Sequence, residues 1–195
     1  MKRAPQRKLR TECRSFLPWA ASDSSSSSTR DGDDSWADVS PDGKWIVFTR
    51  TEGNTDRIYV AELESAGAAR PLADAPSTVA KWSPDGGLIA YAPDRTLEGA
   101  IRVMRPDGSG SRVVASPGGW PFWFADGKRL GYLAVGKDAN AEIRVVRVDG
   151  GGPPERLDGI RFRGTNYPCS VSRDGRFLAT ANAVDTTSDI WLLEP

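Results

Sequence analysis

The chain has 195 residues, enough for one domain with a real core, and its 26 basic side chains balance 26 acidic ones, which argues against nucleic acid or an anionic membrane as the main partner. It contains no histidine, which excludes Ser-His-Asp and Cys-His nucleophile pairs, histidine general bases and histidine metal sites. Two cysteines, Cys13 and Cys169, are too few for a disulfide scaffold or a four-thiolate zinc site, and no run of about 18 apolar residues is present to span a membrane.

Residues 1–33 read as a low-complexity amino-terminal segment. Met1-Lys2-Arg3 opens like a signal peptide, but Arg7, Lys8, Arg10, Glu12 and Arg14 interrupt any apolar core, so no export signal is expected here. The same basic run, Lys2 to Arg14, is expected to be a solvated tail rather than a nucleic-acid arm. Ser22 through Ser28, broken only by Asp23, has the composition of a linker. Asp31, Asp33 and Asp34 lack the glycine and glutamate spacing of a calcium-binding loop and read as an acidic turn.

From residue 34 onward the chain repeats. The phrases Ser40-Pro41-Asp42-Gly43, Ser83-Pro84-Asp85-Gly86, Phe124-Ala125-Asp126-Gly127 and Ser172-Arg173-Asp174-Gly175 recur at the spacing of roughly 40–50 residues that marks propeller blades. Glycine takes a positive φ without steric cost and aspartate bonds its own backbone two residues on, so the pair closes a hairpin in fixed register. Four residues before each glycine stand Val39, Trp82, Trp123 and Val171, on a first strand. Three residues after it come Ile46, Ile89, Leu130 and Leu178, and five after it Phe48, Tyr91, Tyr132 and Thr180. Val47, Ala90, Gly131 and Ala179 lie between, so this second strand has one large face and one small face. The small face suits close approach of a neighbouring sheet. A third strand opens at Ile58, Ile101, Ile143 and Ile190, followed two residues on by Val60, Val103, Val145 and Leu192. Short fourth strands follow at Arg70-Pro71-Leu72, Arg112-Val113-Val114 and Arg156-Leu157.

The pattern predicts an all-β chain: a β-propeller of four four-stranded blades over residues 34–195. The fourth repeat stops at Leu192-Leu193-Glu194-Pro195, after its third strand. Arg14-Ser15-Phe16-Leu17 resembles the fourth-strand phrases and is expected to close that blade from the amino terminus. Three arrangements stay open at this level: a small closed ring, a homodimer of unclosed arrays, or part of a longer gene product.

Phrases such as Trp82-Ser-Pro-Asp-Gly-Gly-Leu-Ile-Ala-Tyr and Val39-Ser-Pro-Asp-Gly-Lys-Trp-Ile-Val-Phe resemble the repeat of TolB-type, WD-like propellers, and also the blades of prolyl-oligopeptidase-like peptidases. The likeness covers about residues 34–195, with Ala125 and Arg173 departing from the turn proline. It implies a bacterial protein-binding module of the periplasm or envelope. The motif specifies the blade and says little about the task, because one fold hosts many functions.

Ligands of propellers usually meet the face where second-to-third and fourth-to-first strand loops gather. Here those loops are 51–56, 94–98, 137–140 and 185–188, with the linking loops 116–120 and 158–167. The last is the longest and carries Arg161, Phe162, Arg163, Asn166 and Tyr167, residue types suited to interface anchors. Trp120, within Pro-Gly-Gly-Trp-Pro, is the aromatic candidate for exposure on this face. These six residues are the expected contacts for a protein or peptide partner. No catalytic residue, metal ligand or cofactor is assigned. The carboxylates sit mostly in turns, and no Gly-x-Ser-x-Gly elbow or phosphate-binding glycine loop occurs. The expected function is non-catalytic binding. The alternative is a fragment of a longer envelope protein, or of a peptidase's propeller without its catalytic domain.

Overall fold

Each Asp-Gly phrase forms a turn between two strands, held by the same set of hydrogen bonds. In the first, the Gly43 amide donates to the Ser40 carbonyl at 2.9 Å and the Lys44 amide to Asp42 Oδ1 at 3.1 Å. Ser40 Oγ donates to Asp42 Oδ1 at 2.6 Å and accepts from the Trp45 amide at 2.9 Å. Ser83 with Asp85, and Ser172 with Asp174, repeat this arrangement. In the third turn Phe124 replaces the serine. There Asp126 accepts from the Lys128 and Arg129 amides, and Arg129 both pairs with Asp126 at 2.6 Å and lies over the Phe124 ring. The four turn glycines have φ between 62° and 72°, the left-handed region that glycine enters freely.

The computed structural model describes residues 6–9, 33–63, 68–73, 76–138, 140–158, 169–172, 174–184 and 187–193. Every regular element among them is a strand, in four antiparallel sheets of four. The first sheet holds β2 (Asp33–Val39), β3 (Trp45–Glu52), β4 (Thr55–Glu62) and β5 (Arg70–Pro71). The second holds β6 (Thr78–Trp82), β7 (Ile89–Ala92), β8 (Ile101–Met104) and β9 (Arg112–Ala115). The third holds β10 (Gly119–Trp123), β11 (Arg129–Val135), β12 (Ala141–Arg147) and β13 (Glu155–Arg156). The fourth holds β14 (Cys169–Val171), β15 (Leu178–Val184), β16 (Thr187–Leu193) and β1 (Gln6–Leu9). Consecutive innermost strands touch: β2 with β6, β6 with β10 and β10 with β14. This is the four-bladed propeller expected from the repeat. Among the described residues no helix is long and apolar enough to cross a membrane.

The fourth blade is completed from the amino terminus, but by Gln6–Leu9 rather than by residues 14–17. β1 runs antiparallel to β16, with Gln6 opposite Leu193 and Leu9 opposite Ile190. Residues 14–17 lie outside the described residues, and β1 takes the edge that had been assigned to them.

The core lies between the blades. Val47, Ile58, Val60 and Leu72 of the first blade pack against Trp82, Ile89, Tyr91 and Met104 of the second. Ala90, Ala92, Ile101 and Val103 pack against Trp123, Leu130, Tyr132 and Val146. Leu133 and Ile143 join Leu178, with Val145, Cys169 and Val171 against them. The large column of each blade thus faces the blade before it, and the small column faces the blade after it. Polar contacts cross the junctions too: Asp38 Oδ2 accepts from the Trp82 amide at 2.8 Å, and Trp123 Nε1 donates to the Lys81 carbonyl at 3.0 Å.

The turn aspartates make the fold sensitive to acid. Hydrogen bonds from Ser40, Ser83 and Ser172, then from the following backbone amides, hold the carboxyls of Asp42, Asp85 and Asp174 below the ordinary value of 3.8. At Asp126 burial opposes the shift, and the Lys128 amide with Arg129 overcomes it. A carboxyl depressed by folding contributes stability above its unfolded value and loses it as pH falls through its folded value. The melting temperature is therefore expected to stay level above about pH 5 and to decline below about pH 4. The Asp85→Asn variant should melt lower at neutral pH and decline less in acid. A melting curve for the native chain unchanged from neutral pH to pH 2 would refute this account.

Candidate binding face at the channel mouth

Each of the first three innermost strands contains a bulge at the same place. Register shifts lie between Ser35 and Asp38, between Thr78 and Lys81, and between Gly119 and Phe122. Within each bulge one non-glycine residue has a left-handed backbone: Trp36 at φ 55°, Val79 at 53° and Trp120 at 56°. All three stand seven residues before the turn glycine. Such conformations cost about 1–3 kcal/mol each and persist only where surrounding structure imposes them. Here the bulges bring side chains from three blades together. The Trp36 and Trp120 rings meet edge to face, centroids 4.9 Å apart at 85°. Val79 and Trp120 share one buried cluster, with Trp36 and Leu97 against it.

Loops from the second-to-third strand connections surround this cluster. Arg95 forms a two-pronged pair with Asp56, at 2.8 and 3.1 Å, linking the second blade's loop to the first. Thr51 Oγ1 donates to Asp56 Oδ1 at 2.7 Å. The Arg95 carbonyl accepts from Trp120 Nε1 at 3.2 Å, tying the third blade to the second. The amide and hydroxyl of Thr96 both donate to Asp94 Oδ1, which stiffens the same loop. Two polar atoms near this mouth are left without partners: Trp36 Nε1 and Ser35 Oγ are shielded from solvent and make no hydrogen bond. Buried polar groups are nearly always paired, so an unpaired one marks a place where a ligand could supply the partner.

The expected site residues fare differently. Trp120 is buried, 8% exposed, where exposure was expected. The bulge turns it into the cluster against Trp36, where its indole N–H also finds a carbonyl. Arg161, Phe162, Arg163, Asn166 and Tyr167 lie outside the described residues. Asp34 is spoken for by Arg50, at 2.8 and 2.9 Å, and among the described residues no group of acidic or cysteine side chains could hold a metal ion. The sequence pattern did not single out Trp36 or Ser35, while Arg95 lies within the loop 94–98 expected on this face. The signal was present only as a position: Trp36, Val79 and Trp120 share one place in the repeat but no chemistry that flags a bulge.

No protein-family model matches the chain. Dipeptidyl-peptidase 5 of Aspergillus fumigatus is 26% identical over 191 residues, which cover 81% of this chain and 26% of that protein. The chain therefore spans about a quarter of the length of that curated relative. The TolB structure from Acinetobacter baumannii superposes with a TM-score of 0.67 at 17% identity, over 83% of this chain and 43% of that one. A propeller in the nidogen/laminin complex superposes with a TM-score of 0.65 at 17% identity, over 82% of this chain and 60% of that one. The protein has a TolB-like β-propeller fold.

Proposed function

We propose that this chain is a non-catalytic binding module that holds a protein segment on the loop face at the channel mouth. The observation that carries the reading is the joined Trp36–Trp120 pair with the unpartnered Trp36 Nε1 and Ser35 Oγ beside it. A half-buried aromatic held in place by a second ring suits the apolar side chain of an extended segment, and Trp36 Nε1, shielded in the free chain, would meet a carbonyl or carboxylate acceptor once the ring shifts on binding. Trp120 acts as the buried support of Trp36. Arg161, Phe162, Arg163, Asn166 and Tyr167 are proposed as further contacts, because in sequence they stand between β13 and β14, the kind of fourth-to-first strand connection that carries binding residues on a rigid scaffold. The family resemblance suggests the bacterial envelope as the compartment.

A second reading rests on the 26% identity to a dipeptidyl-peptidase over only 26% of its length. In that case the propeller serves as one part of a larger peptidase. The Trp36–Trp120 contact, which joins the innermost strands of two blades, favours capture at the surface over passage of substrate between them.

Selection of a random displayed peptide library on the immobilised chain tests the first reading. Selected peptides are expected to lose about tenfold or more in affinity, on the order of 1.4 kcal/mol, for Trp36→Ala and Tyr167→Ala. Binders that ignore both substitutions, or no binders at all, would overturn it.

A further inference from the structure

Among the described residues, arginine faces arginine across a strand ladder at three places: Arg50 with Arg57, Arg129 with Arg147, and Arg144 with Arg156. Like charges directly opposite each other destabilise a sheet, so each pair calls for carboxylates to offset it. Two of the pairs have them. Arg129 meets Asp126 at 2.6 Å and Arg147 meets Asp149 at 2.5 Å. Arg144 and Arg156 share Glu142, at 2.8 and 3.5 Å, and Arg156 also reaches Asp158 at 3.2 Å.

The pair in the first blade is only half supplied. Arg50 holds Asp34 with two prongs, at 2.8 and 2.9 Å. No hydrogen bond or ion pair joins the Arg57 guanidinium to any described residue, and its Nε is shielded from solvent. The carboxylates near it in sequence or register are engaged elsewhere. Asp34 is held by Arg50, Glu52 accepts from the Tyr59 hydroxyl at 2.5 Å, and Asp56 is held by Arg95 and Thr51. A shielded donor without a partner is rare in a folded protein and costs stability. Nothing in the blade architecture requires this one. The same ladder position carries Ala134 opposite Glu142 in the third blade and Asn182 opposite Asp189 in the fourth.

The surroundings of Arg57 are pre-formed. Asp34 and two rings fix Arg50, which lies 4.8 Å from the Tyr59 centroid and 5.3 Å from that of Phe48. Arg57 is the third residue of β4, just past the hairpin from β3, one of the loops of the channel-mouth face. It is half-buried, while Asp34 and Glu52 beside it are exposed, so the guanidinium stands at the rim and not in the core.

We propose that Arg57, with Arg50 beside it, binds a carboxylate, and that this carboxylate is an acidic side chain of the protein segment held at the channel mouth. A guanidinium fork matches a carboxylate in two parallel charge-assisted hydrogen bonds. Asp34 already makes that geometry on Arg50, through Nε and Nη2. An incoming acid gives this ladder the second carboxylate that the other two arginine pairs possess. The inference rests on the reading of the chain as a binder of protein segments, and adds the chemistry of the segment.

NMR titration of the isotope-labelled chain, followed at its arginine Nε–H signals, tests this. The probes are an amide-capped triglutamate peptide, its triglutamine counterpart, and inorganic phosphate at matched ionic strength. The Arg57 signal, assigned by its loss in Arg57→Gln, is expected to shift saturably with triglutamate and not with triglutamine. Read at the Arg50 signal, Arg57→Gln should bind triglutamate about tenfold or more weakly, because a charge-assisted pair is lost. The same variant should melt no lower than the native chain, because this arginine has no partner to lose. No saturable shift, an equal shift with triglutamine or a larger one with phosphate would overturn the proposal. So would an Arg57→Gln variant that melts clearly lower, which would mark the residue as structural. Library-selected peptides that lack acids and ignore Arg57→Gln would overturn it while leaving the proposed function standing. A triglutamate shift with no selected peptides would do the opposite.

Discussion

Trp120→Ala is expected to destabilise the fold by about 3–5 kcal/mol, the range for removing a large aromatic from a packed core. The indole is almost fully buried, shares a cluster with Val79, Phe122, Leu133, Ile143 and Leu178, and makes an edge-to-face contact with Trp36. Its N–H also satisfies the Arg95 carbonyl. Alanine leaves the left-handed φ of 56° in place, so the loss is not relieved by relaxation of the backbone. Trp120→Phe keeps most of the buried area and should cost about 1–2 kcal/mol through the lost hydrogen bond and a small cavity. Urea unfolding monitored by circular dichroism measures both. An alanine variant within about 1 kcal/mol of the native chain would mean that the axial cluster contributes little to the fold.

The second large effect is expected at Gly131. A Cβ built there would lie 2.1, 2.3 and 2.7 Å from three ring atoms of Phe122, its partner across the β10–β11 ladder. The far end of the ring covers the glycine, a known way of sheltering a strand glycine with an aromatic. Gly131→Val must push the ring out of a core cluster, at a cost of about 3 kcal/mol or more. The other blades show the same exchange of size. Asp38 faces Val47, Lys81 faces Ala90 and Ser170 faces Ala179, so a larger residue fits where no aromatic ring lies across it. Phe122→Ala alone should also destabilise, by about 3–5 kcal/mol. Combined with Gly131→Val, the two losses should fall short of their sum by about 1–3 kcal/mol, because valine then occupies space the ring has left. Strict additivity in the double-mutant cycle would show that the two residues do not share that space.

The small column illustrates how far local sequence carries the argument. Val47, Ala90, Gly131 and Ala179 were expected to be small so that a neighbouring sheet could come close. At Gly131 the space goes instead to Phe122 of the same sheet. Spacing along the chain cannot reveal this, because the ring reaches across a ladder whose register is shifted by a bulge.

The blade count, the strand columns with one large and one small face, and the Asp-Gly turns were all readable from the chain. Each rests on local chemistry repeated four times: a glycine that accepts positive φ, an aspartate that accepts its own turn's amides, and strand alternation. Tertiary structure decided three other matters. It set Gln6–Leu9 rather than residues 14–17 against β16, because many short basic segments can supply edge hydrogen bonds and only the assembled sheet chooses among them. It buried Trp120 and brought Trp36 to it from two blades away, because bulges in three separate strands converge only once the blades are arranged around an axis. It also left Val39 51% exposed where its repeat partners Trp82 and Trp123 are 8% and 7% exposed, because burial at one repeat position depends on which sheet packs there, and among the described residues the first sheet makes extended contacts only with the second.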